Sequence, residues 1–193
     1  MDDAARGARD IRRVVLVSSL GFCALLTALA WILLRVRGTP FATVFVTPTP
    51  IASALTGVVA GAAGGAVCVA VVLRVRALAR LRRLAGEALA GIEPRGYHLA
   101  LVACAAGWGE ELLFRGALQP IAGIWLTSAA FVLLHGALRH RNRGGAAFAA
   151  FLFAASSGLG WLAREQGLAA AMLAHAAYDL VVLAGIRAAA TNY

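Results

Sequence analysis

The sequence predicts an all-α, polytopic membrane helix bundle with about six transmembrane helices, the last four of which enclose a site. The chain of 193 residues is 61% hydrophobic and 14% charged, whereas soluble domains are about 45–50% apolar and about 25% charged. Its mean hydropathy is +0.80. Because a helix needs ~20 apolar residues to cross the hydrocarbon, we place the spans at 14–34, 51–73, 98–118, 121–138, 146–163 and 167–187. No repeat or low-complexity tail divides the chain, so we treat residues 1–193 as a single transmembrane domain.

The arginines orient this bundle. They lie between the apolar runs, where positive charge sets topology in a bilayer, and we therefore expect no nucleic-acid partner. If the N-terminus is cytoplasmic, fourteen arginines lie on the inner side and three on the outer side. Trp31, Trp125 and Trp161 then lie near the outer interface, which amphipathic rings prefer. With a composition rich in Ala, Gly and Arg, this predicts a bacterial inner-membrane protein with both termini cytoplasmic.

Two features of the first hundred residues bear on packing and on the inner surface. Gly57, Gly61 and Gly65 recur at four-residue spacing, which predicts the close approach of a neighbouring helix. The stretch 74–97 is the one sizeable region outside the apolar runs, and its arginines interleave with apolar residues. It could be a basic amphipathic helix on an anionic leaflet or a solvated basic loop.

Three charged residues stand in the third apolar run, at Glu110, Glu111 and Arg115. At the centre of a helix they would cost on the order of 8 to 10 kcal/mol before pairing, which packing alone does not offset. Glu111 and Arg115 are about 40° apart around a helix and can pair, whereas Glu110 is about 100° from Glu111. The unpaired Glu110 carboxylate is therefore suited to act as a general base.

Two later apolar runs contribute histidines. His135 ends the motif that begins at Phe131, and His175 precedes Asp179 by four residues. Asp179 can therefore accept from one ring nitrogen of His175 and fix the tautomer that the other nitrogen presents. A lone histidine is more often an interhelical hydrogen-bonding residue, and a lone Glu–Arg pair can be a structural salt bridge. The combination on three otherwise apolar helices indicates a functional site.

The order of these motifs resembles the CPBP family of intramembrane proteases, which includes the CAAX prenyl endopeptidases and the bacterial bacteriocin-processing and Abi-type proteins. The pattern Glu-Glu-x-x-x-Arg, Phe-x-x-x-His, His-x-x-x-Asn/Asp lies within residues 107–179, in a core of about 98–187. The resemblance implies cleavage of a peptide bond by water that Glu110 activates. His135 would assist, and His175 with Asp179 would form an oxyanion site. The chain departs from the family in having Asp179 where Asn is common.

The resemblance also implies a membrane-embedded or membrane-anchored peptide as substrate, and the lipid bilayer as the site of action. Glu110, His135 and His175 are a plausible zinc set, but the chain has no His-Glu-x-x-His helix. We therefore expect no metal and no other cofactor. Two alternatives stay open: an immunity or assembly protein that holds a partner's helix in the same cavity without catalysis, and a proton-coupled carrier.

Helix lengths raise one difficulty for this cluster. Glu110 and His175 each lie ~18 Å from the inner ends of their predicted spans, whereas His135 lies ~6 Å from Arg139. Straight, upright helices of these bounds would not bring the three side chains together. Tilt, or a fourth helix that continues to Arg143, would be needed.

Overall fold

The computed structural model describes residues 2–75, 83, 86, 87, 89, 96–136 and 143–190. Its helices are α1 (Asp2–Val36), α2 (Pro50–Arg74), α3 (Gly96–Glu111), a π-helical segment (Leu112–Leu118), α4 (Gln119–Leu134), α5 (Arg143–Gln166) and α6 (Leu168–Ala190), with a 3₁₀ turn at Phe41–Phe45. The predicted all-α fold is confirmed. Most of the 74–97 stretch and residues 137–138 of the fourth predicted span lie outside the described residues.

Within the described residues, five helical runs are long and apolar enough to cross a membrane. They are Asp10–Val36, Pro50–Arg74, Gly96–Leu134, Gly145–Gln166 and Leu168–Ala189. The third run has 39 residues and joins the third and fourth of the six predicted spans. The protein is therefore a multi-pass membrane protein, and the predicted number of helices is approximate.

The long run Gly96–Leu134 folds back on itself. Phe114 and Phe131 would be about 25 Å apart on a straight helix, yet their ring centroids are 5.0 Å apart. The reversal occurs at Gly123, whose φ of 73° and ψ of 172° are not helical. Only glycine adopts a positive φ of this kind without a steric cost from Cβ. The arm before Gly123, residues 96–122, and the arm after it, residues 124–134, therefore lie antiparallel.

Small residues hold α6 between two neighbouring helices. A Cβ at Gly61 of α2 would overlap the backbone of Ala174, and a Cβ at Gly107 of α3 would lie 2.6 Å from the carbonyl oxygen of Met172. These contacts agree with the close packing that the glycine spacing predicts. They fix the backbone of α6 immediately before His175.

Replacing Gly61 by alanine should therefore destabilise the bundle by about 1–3 kcal/mol, the usual cost of overpacking. The measurement is the thermal unfolding midpoint of the purified protein in detergent. Gly64→Ala is the matched control, because a methyl group there would make ordinary contact, 3.6 Å, with the Tyr178 ring. Equal midpoints for the two variants would contradict the packing of α2 against α6.

Candidate active site

Glu110 lies between two histidine rings. Its Oε2 atom is 3.6 Å from Nε2 of His135 and 3.9 Å from Nε2 of His175. This oxygen is buried and has no hydrogen-bond partner within the described part of the chain. Because a buried carboxylate oxygen normally has such a partner, this one is available to a reacting molecule.

Glu111 makes two contacts through a single oxygen. The residue is 0% exposed, and its Oε1 atom accepts from Nη1 of Arg115 at 3.1 Å. The same oxygen is 2.7 Å from Nδ1 of His175. The carboxylate can only accept, so Nδ1 of His175 carries the proton and donates to it. Glu111 thus both neutralises Arg115 and orients His175.

Arg115 is held within the π-helical segment. The backbone N–H of Gln119 donates to the carbonyl of Phe114, five residues back, which is the π-helical pattern and is frequent at functional sites. The Arg115 guanidinium donates through Nη2 to both the carbonyl oxygen and the hydroxyl of Ser156 on α5, each at 2.8 Å. The Cζ atom of the Arg115 guanidinium also lies 5.2 Å from the centre of the Phe131 ring.

His135 caps the C-terminal end of α4. Its Nδ1 atom is 2.8 Å from the carbonyl oxygen of Phe131, and its ring stacks on that of Phe131 at 3.9 Å. The carbonyl can only accept, so Nδ1 carries a proton and Nε2 faces Glu110. The side chain of His135 is 35% exposed, against 13% for that of Glu110. His135 therefore lies on the exposed side of Glu110.

Asp179 lies one turn beyond His175 on α6, and its Oδ2 atom is 3.5 Å from Nε2 of His175. This is the ring nitrogen that faces Glu110. The sequence interpretation assigned the orientation of His175 to Asp179. In the structure the shorter contact is the one to Glu111, because α3 and α6 pack side by side and bring Glu111 to the other nitrogen.

The structure brings all six predicted residues into one cluster, and the fold-back at Gly123 removes the difficulty with their depths. Glu110 lies 13 positions before Gly123 and His135 lies 12 positions after it, so the two arms carry them to the same level. Sequence reasoning missed Ser156, whose weak signal is a Ser-Ser pair in an otherwise apolar run.

A cavity of about 740 Å³ is lined in part by Arg115 and not by Glu110. Its lining includes Gln119, Trp125, Trp161 and Arg164, and Arg115 is the one predicted site residue among the lining residues. The cavity therefore reaches the site at the buried ion pair and does not adjoin the Glu110 carboxylate.

The donor set at Glu110 also bears on metal binding. Within the described residues, no group of three or more His, Cys, Asp or Glu side chains is arranged to hold a metal ion. The Oε2 atom of Glu110 lies 3.6 and 3.9 Å from the two facing ring nitrogens. The expected metal independence stays a prediction.

Comparison with known families agrees with the motifs. Residues 95–181 match the family model described as Rce1-like, type II CAAX prenyl endopeptidase. This match confirms the family prediction for the segment that carries all six site residues. No curated protein and no solved structure gives a significant match to the chain.

Proposed function

With residues 95–181 belonging to the Rce1-like family of type II CAAX prenyl endopeptidases, we propose that this protein is a glutamate-dependent intramembrane endopeptidase. Its substrate is a membrane-embedded or membrane-anchored peptide. The observation that carries this proposal is the free Oε2 atom of Glu110, buried between the Nε2 atoms of two histidines.

Glu110 is the general base in this proposal. A water molecule bound against the carboxylate donates a proton to Oε2 while its oxygen attacks the carbonyl carbon of the peptide bond. The carbon–nitrogen bond then breaks, and Glu110 returns the proton to the leaving amine. Separations of 3.6 and 3.9 Å are too long for direct hydrogen bonds, so Oε2 keeps its lone pairs free to accept from the attacking water.

The histidines stabilise the developing oxyanion. In its charged form, His175 donates from Nδ1 to Glu111 and from Nε2 toward the reacting oxygen, so Glu111 supports the charge that Nε2 presents. The Phe131 carbonyl orients His135 by accepting from Nδ1, and in its charged form His135 likewise donates from Nε2 toward the reacting oxygen. Asp179, 3.5 Å from Nε2 of His175, adds a second negative charge beside that ring.

The route to the site sets the topology that we propose. His135 is the most exposed member of the cluster, at 35% against 29% for Asp179, and the segment that follows it carries Arg139 and Arg141. On the arginine distribution this segment is cytoplasmic. We propose that both termini are cytoplasmic, that substrates enter from the cytoplasmic side, and that the membrane is a bacterial inner membrane.

A library of membrane-anchored peptides separates this function from the alternatives. The purified protein in lipid nanodiscs is incubated with the library, and products are read by mass spectrometry. Defined cleavage products support the protease. Peptide capture without cleavage favours the protein that holds a partner helix. Proton flux driven by a pH gradient in liposomes, again without cleavage, favours the carrier.

Metal independence is a separate expectation. Chelators should leave cleavage unchanged, because Glu110 can accept the proton itself and the two histidines supply the electrostatic stabilisation. Metal analysis of the purified protein and activity after dialysis against chelator are the measurements. About one zinc ion per chain, lost together with activity, would instead make Glu110, His135 and His175 metal ligands.

A further inference from the structure

The helix α5 supplies none of the six predicted site residues, yet one of its side chains contacts the charged cluster. We propose that Ser156 is a positioning residue: it anchors Arg115 so that Glu111 keeps His175 directed at Glu110. The expected effect of Ser156 on the cleavage rate rests on the proposed function. The effect of Ser156 on the hydrogen bond between His175 and Glu111 can be measured without any protease activity.

Ser156 is a buried residue that accepts two hydrogen bonds from Arg115. Ser156 is 1% exposed, and both its carbonyl oxygen and its hydroxyl lie 2.8 Å from Nη2 of Arg115. One turn further along both helices, the side-chain amide of Gln119 donates to the carbonyl oxygen of Gly160 at 2.9 Å. These two contacts tie Arg115 of the π-helical segment and Gln119 at the start of α4 to α5. Hydrogen bonds from a charged donor are also the stronger kind.

The contact between Ser156 and Arg115 is linked to His175 through one oxygen atom of Glu111. Arg115 uses its other terminal nitrogen, Nη1, to bind Oε1 of Glu111 at 3.1 Å. That same oxygen receives Nδ1 of His175 at 2.7 Å. The second oxygen of Glu111 is buried and has no hydrogen-bond partner within the described part of the chain. A rotation of the guanidinium therefore moves the atom that orients His175.

The neighbouring residue provides a matched control. Ser157 is also buried, at 6% exposure, and its hydroxyl has no hydrogen-bond partner within the residues that the structure describes. Ser157→Ala removes the same atom from the same turn of α5 without touching Arg115. Ser156→Ala removes one of the two acceptors of Nη2 and leaves the backbone carbonyl in place.

The first measurement does not depend on protease activity. With four histidines in the chain, ¹⁵N-histidine labelling gives few signals, and the one missing in His175→Gln identifies His175. We expect its Nδ1 proton resonance to move upfield in Ser156→Ala, because a displaced Glu111 accepts a longer hydrogen bond. In Ser157→Ala the resonance should stay where it is in the wild type.

The second measurement is kinetic. We expect kcat in Ser156→Ala to fall roughly 10-fold, at the lower end of the loss when a supporting hydrogen-bond partner of a site is removed. KM and the thermal midpoint should stay near those of Ser157→Ala. Ser156→Cys keeps a weak acceptor and should lie between the two. If Ser156→Ala does not fold, Ser156→Cys carries the test.

Failure of this inference and failure of the proposed function are distinguishable. An unchanged His175 resonance in Ser156→Ala, or equal kcat values for Ser156→Ala and Ser157→Ala, would overturn the positioning role. A wild-type protein that cleaves nothing would overturn the proposed function. In that case the resonance alone still decides whether Ser156 fixes the geometry around His175.

Discussion

Replacing Glu110 by glutamine should abolish peptide cleavage while the protein still inserts and purifies. Glutamine keeps the shape of the side chain but cannot take up the proton of the attacking water. Removal of a general base typically costs 10²- to 10⁴-fold in rate, so we expect a loss of about that size. Folding should be little affected, because Oε2 of Glu110 has no hydrogen-bond partner among the described residues. The measurement is kcat on a peptide that the wild type cleaves.

A control for this variant is Glu165→Gln. The Glu165 side chain is 62% exposed and its carboxylate lies 3.6 Å from Nε of Arg164, so its loss should leave the rate unchanged. Full activity in Glu110→Gln would contradict the role of base. If Glu111→Gln were at the same time well folded and inactive, the roles of the two glutamates would be reversed.

Replacing Glu111 by glutamine should have the largest effect on stability. The change leaves the Arg115 guanidinium, whose side chain is 1% exposed, without its carboxylate. Breaking a buried ion pair on one side costs ~3 to 5 kcal/mol. The thermal midpoint and the yield of folded protein in detergent measure the loss. We also expect low activity in the protein that does fold, because Glu111 orients His175.

A double variant separates these two effects of Glu111. Replacing Glu111 by glutamine and Arg115 by methionine leaves no uncompensated charge, so part of the lost stability should return. Activity should stay low, because the carboxylate that accepts from Nδ1 of His175 is still missing. A double variant as unstable as Glu111→Gln would show that the ion pair is not the source of the stability.

Composition was sufficient for the all-α fold class, and the six residues chosen from the sequence lie in one cluster in the structure. The apolar runs predict the helices, since each must satisfy its backbone in the bilayer. The four-residue spacing of Glu111 and Arg115 predicts the contact that the structure contains. The spacing of Gly57, Gly61 and Gly65 likewise predicts the close packing, here against α6.

The remaining features depend on contacts between helices, which spacing within one helix does not define. The fold-back at Gly123 aligns Glu110 with His135, and a sequence interpretation with straight spans places them at different depths. The partner that orients His175 is Glu111, 64 residues earlier in the chain. Ser156 joins the cluster only because the long side chain of Arg115 reaches from the π-helical segment to α5.

The central claim is that the protein cleaves membrane-anchored peptides with Glu110 as the general base. Comparative mapping of protein termini tests this claim most directly. Cells that express the wild type, cells that express Glu110→Gln at the same level, and cells without the gene are compared by proteomics of N- and C-termini. The account predicts a set of new termini in membrane-anchored proteins that is present with the wild type and absent from both other samples. Identical termini in the wild-type and Glu110→Gln samples would contradict it.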